Sequence, residues 1–211
     1  VNPSKPTRRR IILAILSLFG LGALFVTNPV TRLMYRGTGE SLSIIAMRGF
    51  VAPLHGALMA GAVVGFTHLL RRKGDRVGLV AGSFVLIGLA AGIRILELGQ
   101  LEGAMAAGTA GIPPDTLDRL FRAAPKLWLS IVPTGILFPI GMVLLGLTLA
   151  VTKPIPRVFG ALLALGGALF PIGRIGHFPW AFLACDLILG GSFLLVGWQL
   201  AVRKDLWGET A

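Results

Sequence analysis

An all-α, polytopic membrane protein, a bundle of six transmembrane helices, is the fold the sequence predicts, and three observations predict it. The chain of 211 residues is 55% hydrophobic and only 14% charged, more apolar sequence than one soluble core of this size can hide. Six stretches approach or reach the roughly 20 residues that a helix needs to cross a hydrocarbon core. Twenty Lys and Arg stand against nine Asp and Glu, a formal net charge of +11, and most of them gather at alternate ends of those stretches. In a soluble protein a pI near 11.4 would suggest nucleic-acid binding. Distributed in this way it is an orientation signal, and no nucleic-acid partner is expected. Disorder and a coiled coil are excluded by composition, and an outer-membrane barrel by the lack of any alternating ten-residue pattern.

The spans are predicted at 11–28, 49–70, 77–98, 127–151, 158–176 and 180–202, forming one transmembrane domain over 1–211. The first follows Arg8-Arg9-Arg10 and has the outline of a signal peptide. It runs longer than a signal core, and Thr27-Asn28-Pro29 is a poor cleavage site, so it is read as a retained span. Arg71-Arg72-Lys73-Gly74-Asp75-Arg76 makes a short turn between the second and third spans. A longer loop follows the third. In it Pro113-Pro114-Asp115 opens a segment with Leu117, Leu120, Phe121 and Ala124 on one side. Asp115, Asp118, Arg119 and Arg122 lie on the other, and Pro125 stops it. This predicts a short amphipathic helix on the outer surface. Its plain role is a cap over the bundle; its sharper role is a lid or gate, with Asp118, Arg122 and His177 as the gating residues. Pro133 and Pro139 in the fourth span and Pro171 in the fifth remove backbone donors and predict kinks. Thr152-Lys153-Pro154-Ile155-Pro156-Arg157 turns the chain between those two spans.

With the N-terminus in the cytoplasm, twelve of the twenty basic residues fall on inside segments and six on outside loops. That bias predicts a multi-pass protein of a bacterial inner (plasma) membrane with both termini cytoplasmic. Tyr35, Trp128 and Trp180 would mark the outer interface, Trp198 and Trp207 the inner one. Among the 29 glycines, Gly61-x-x-x-Gly65, Gly78-x-x-x-Gly82 and Gly88-x-x-x-Gly92 predict close helix packing.

Ionisable groups inside spans are expensive and need a partner, a wet cavity or a function. They are His55, Arg94, Glu97, Arg174 and Asp186, and His177 sits in the turn between the last two spans. On this topology all fall in the outer half of the bilayer. Arg174 and Asp186 flank the Gly176-His177-Phe178-Pro179 turn at similar depth, which predicts an ion pair. Arg94 and Glu97, three apart, can pair on their own helix. One reading is an interhelical clamp. The other is an outward-facing polar pocket in which Arg94 or Arg174 binds an anionic group and Asp186 or Glu97 takes a proton.

Other chemistry finds no support. His55, His68 and His177 lack the matched depths of bis-histidine haem, no zinc spacing occurs, and Cys185 is alone. No phosphate loop, dinucleotide fingerprint, nucleophile elbow or HExxH is present. No catalytic residue, metal or cofactor is therefore expected.

Residues 133–141, Pro-Thr-Gly-Ile-Leu-Phe-Pro-Ile-Gly, and 156–167, Pro-Arg-Val-Phe-Gly-Ala-Leu-Leu-Ala-Leu-Gly-Gly, resemble a family of uncharacterised six-span bacterial inner-membrane proteins, a domain of unknown function. The resemblance covers the second half and implies a compact six-helix bundle, with a Pro-Arg pair opening a helix at Pro156-Arg157. It implies no catalytic residues.

The expectation is thus a non-enzymatic membrane protein. It would bind a small or lipid-like ligand in an outward-facing pocket or serve as an accessory subunit of a membrane complex. Its partners would be membrane lipids, and a membrane protein or a second copy of the chain. A small proton-coupled transporter using the Arg/Asp/Glu cluster is the alternative, and a membrane-embedded enzyme acting on a lipid or quinone a weaker one.

Overall fold

The computed structural model describes residues 5–34, 42–70, 75–106, 133–174, 176 and 178–203, with side chains at 8–27, 53–70, 76–92, 133–174, 176 and 178–203. Among the described residues there is helix and turn and no strand. The helices are α1 Lys5–Met34, α2 Leu42–Leu70, α3 Asp75–Ala106, α4 Leu137–Thr152, α5 Arg157–Arg174 and α6 Pro179–Val202. Five apolar windows are long enough to cross a membrane: Arg8–Thr27, Pro53–Leu70, Pro133–Thr152, Arg157–Arg174 and Pro179–Val202. In α3 the apolar stretch is Arg76–Gly92. The described chain is α-helical, and its helices have the length and apolarity of a multi-pass membrane protein.

Its helix bounds differ from the expected spans in an instructive way. α1, α2 and α3 run well past the apolar stretches, α1 through Pro29 and α3 to Ala106. Hydropathy marks where a helix meets lipid, whereas the backbone ladder continues through any helix-competent residue. The fourth helix instead starts late. Residues 133–135 are helical and lead through Ile136, whose dihedrals stay right-handed helical (φ −67°, ψ −18°), into α4 at Leu137. Pro139 has no N–H for the carbonyl of Gly135, so one rung of the ladder is missing there. The remainder of that predicted span, 127–132, and the predicted outer-surface helix lie outside the described residues.

Each helix packs on the next in sequence, α6 packs back on α1, and α2 touches α4 across the middle. The result is a closed ring of antiparallel neighbours. Glycines set its register. Gly61 and Gly65 receive Ser17 and Ala14 of α1, while Gly78 and Gly82 receive Leu70 and Val63 of α2. Gly88 lies against the backbone of Phe138, Gly141 against that of Ala81 and Val85, and Gly146 against Gly160 and Ala164. Gly190 meets Gly22, which closes the seam between α6 and α1. Without Cβ atoms these backbones approach closely, the packing that substitutes for a hydrophobic driving force in lipid.

The ring is filled, not hollow. Leu18, Leu21, Met59, Phe66, Met142, Leu145, Leu149, Leu163, Leu189, Phe193 and Leu200 are all fully buried in one cluster. Outside, Leu13, Leu16, Val64, Leu79, Leu147, Leu165 and Trp198 stand exposed. Only 33–50% of each crossing window is buried, so most of each apolar helix faces outward, as lipid requires and water would not tolerate. Side-chain hydroxyls bend back to their own helices: Thr27 donates to Ala23 O (2.8 Å), Ser83 to Leu79 O (2.9 Å) and Ser192 to Ile188 O (2.6 Å). Few polar groups are therefore left to face hydrocarbon.

One end of the ring is basic. Arg8, Arg9, Arg10, Arg76, Lys153 and Arg157 are exposed there. Lys153 caps α4 in the left-handed conformation (φ 57°, ψ 41°), its N–H donating to Leu149 O at 3.0 Å. Pro154 and Pro156 prevent the helix from continuing. Arg203 Nη1 donates to Pro154 O at 3.4 Å, bringing the end of α6 to the same turn. A left-handed residue with a Cβ costs about 1 kcal/mol, which glycine avoids. Lys153→Gly is therefore expected to raise the unfolding midpoint in detergent slightly, or leave it unchanged, whereas Lys153→Val lowers it.

Candidate functional site

The end opposite the basic one carries the polar groups. Gly173 brings the last turn of α5 against α6, since a Cβ there would lie 2.6 Å from Phe182 N. α5 then closes with Gly176 N–H on Pro171 O at 3.1 Å. This contact sets Arg174 opposite Asp186, and Arg174 Nη2 donates to Asp186 Oδ1 at 2.7 Å. The pair expected across the last hairpin is present. It is asymmetric: the Asp186 side chain is 0% exposed, that of Arg174 26%.

Aromatic rings hold the guanidinium in place. Its carbon lies 3.9 Å from the centroid of Phe182 and 5.5 Å from that of Phe170, close enough for cation–π attraction. Phe170 packs in turn on Phe138, with centroids 4.8 Å apart. Sequence reasoning missed these rings, although a signal was there. Phe170 is four residues before Arg174 and Phe182 four before Asp186, so each ring shares a helix face with one member of the pair, and both rings reach the guanidinium. Arg174 Nε is buried and has no hydrogen-bond acceptor among the described residues.

His55 belongs to the buried face of α2, in a stripe with Met59, Ala62 and Phe66. Its ring meets Phe25 edge-on, with centroids 4.9 Å apart at 76°, and it lies within electrostatic reach of Arg174. Cys185, next to Asp186, turns toward α5, where its Sγ contacts Gly166 O at 3.4 Å. His55, Arg174 and Asp186 thus form one polar layer. Beneath it the floor is apolar: Phe25 packs on Phe193 (5.6 Å) and Phe193 on Phe66 (6.2 Å). Among the described residues, the buried polar or charged side chains are Ser17, Asp186 and Ser192.

Of the other sequence-predicted residues, Arg94 and Glu97 lie on α3, with side chains outside the described set. His177, Asp118 and Arg122 also lie outside the described residues. No group of three or more His, Cys, Asp or Glu among the described residues is placed to hold a metal ion. On the outer flank α4 and α5 enclose an apolar groove of about 310 Å³, lined by residues including Pro139, Ile140, Val143, Gly167, Ala168 and Pro171.

Chemically, the layer offers a fixed, partly exposed cation, a hidden carboxylate that neutralises it, and an imidazole nearby. That arrangement can bind and orient an anionic or strongly polar group. No family model, curated protein or solved structure matches the chain.

Proposed function

We propose that this is a six-span inner-membrane protein with both termini cytoplasmic, of the six-span kind its second half resembles. Its role is to bind a small or lipid-like ligand at the outer end of the bundle. The observation that carries this reading is the Arg174–Asp186 pair, held in a half-open polar layer above an apolar floor. Arg174 remains partly accessible, so the layer keeps a cation within reach of an outside group. The exposed basic cluster at the other end supports the orientation, and α3 supplies the sixth crossing.

Two measurements test the reading. In a Cys185→Ala chain, Gly176→Cys is expected to react with a membrane-impermeant maleimide on intact cells, and Lys153→Cys only after lysis; the reverse pattern overturns the orientation. Native mass spectrometry of the purified protein is expected to show a retained small-molecule adduct that Arg174→Gln loses. Equal adducts on both proteins, or none on either, would remove the binding reading.

A second reading, proton-coupled transport, is favoured by one observation: Asp186 is a fully buried carboxylate paired to a partly exposed cation. Proton uptake into liposomes that is insensitive to Asp186→Asn would dismiss it.

A further inference from the structure

Resting on the ligand-binding reading above, we propose that the ligand is an amphiphile headed by an oxyanion, a carboxylate or phosphate joined to an apolar body, and that Asp186 is a resident counter-ion which this headgroup displaces from Arg174. Four features lead there. First, the pair hides its negative partner completely and leaves its positive partner partly exposed, with side-chain exposures of 0% and 26%. What an approaching molecule meets is a cation. Second, the guanidinium fork is half used. Nη2 serves Asp186, while Nε on the same edge has no acceptor among the described residues. Guanidinium edges favour two-pronged engagement of a carboxylate or phosphate, and Asp186 supplies one prong.

Third, the plane of the guanidinium is fixed before any ligand arrives, because Phe182 covers its face at 3.9 Å and Phe170 flanks it. A preorganised donor loses less freedom on binding. Fourth, the surroundings are apolar. Phe170 and Phe182 border the cation, Phe138 backs Phe170, and Phe25, Phe66 and Phe193 form the aromatic floor. A bare hydrated anion would shed its water here with little in return, whereas an apolar body attached to the anion packs against the rings. Depth agrees: Asp186 is seven residues into α6, about 10 Å along its axis, so a headgroup at Arg174 sits just below the membrane interface. Displacement follows from the position of the carboxylate. It occupies the edge that a ligand needs, so incoming oxyanion and Asp186 compete for one cation.

The test uses the full chain in phosphatidylcholine nanodiscs, titrated by calorimetry with dodecyl phosphate, dodecanol, dodecyltrimethylammonium and inorganic phosphate, and with empty nanodiscs as reference. Dodecyl phosphate is expected to saturate, and dodecanol and the ammonium to bind at least about tenfold more weakly. Inorganic phosphate should not bind. Arg174→Lys keeps the charge but loses the fork, and should weaken dodecyl phosphate about tenfold. Asp186→Asn removes the competitor and should tighten it by about the same factor. If dodecanol or the ammonium binds as tightly as dodecyl phosphate, the oxyanion assignment falls and the ligand-site reading survives. If inorganic phosphate binds equally well, the amphiphile falls. Unchanged or weaker binding to folded Asp186→Asn removes the displacement; should that variant not fold, unchanged affinity in Arg174→Lys overturns the proposal. Absence of saturable binding by every probe removes the underlying reading itself.

Discussion

Arg174→Ala is expected to destabilise the protein by about 3 kcal/mol, because it takes this cation from a fully buried carboxylate. The figure is taken at the low end for broken buried pairs, since about a quarter of the Arg174 side chain is exposed and water already screens it in part. Unfolding in dodecyl maltoside with increasing sodium dodecyl sulfate, followed by circular dichroism, measures it. Most of the loss should return in Arg174→Met/Asp186→Leu, which replaces both charges with apolar groups of similar size. The double variant keeps the fold and, on the proposed function, loses the ligand. That separation is the useful result. A loss below about 1 kcal/mol for Arg174→Ala would mean that the carboxylate does not depend on Arg174.

The second large effect belongs to the glycine seams. Gly146→Val places its Cβ against the backbone of Ala164 and within 2.6 Å of Gly160 O. No rotamer change relieves a clash with backbone, so α4 and α5 must separate. The expected loss is about 3 kcal/mol, at the upper end for overpacked cores. Gly92 and Gly191 provide the contrast, since a methyl group added at either would have nothing within 4 Å. Gly191→Ala should raise stability by about 0.5–1 kcal/mol, the ordinary gain in a helix. If both substitutions had the same effect, close backbone approach would not be what holds this ring together. The same unfolding assay reads both.

The helical membrane class was legible because hydropathy and charge placement are long-range patterns that no local detail erases. The Arg174–Asp186 pair was legible for a geometric reason: two charges at similar distances from a tight hairpin turn must meet. Other features were not. The sequence suggested Gly88-x-x-x-Gly92 as a packing surface, yet only Gly88 is used; a four-residue spacing does not say how far along a helix its neighbour extends. The turn at Ile136 lies beside the carbonyl that Pro139 leaves without a partner, a matter of register within the helix. The rings around Arg174 escaped notice because phenylalanine is unremarkable in a membrane span. They become visible only when read at four-residue spacing from a charge. Which helix follows which around the ring cannot be read from hydropathy at all, because six apolar helices admit many circular orders.

The seam between α1 and α6 has a consequence for biosynthesis. A chain made from its N-terminus forward releases α1 well before α6, so the Gly22 face of α1 goes without its partner until α6 emerges. The described ring stays an open arc until then. Arg174 and Asp186 belong to the hairpin that closes it, and they can neutralise each other within that hairpin before the seam with α1 forms. The closing hairpin thus brings its own charges already paired, and its arrival is the same event that locks α1 in place.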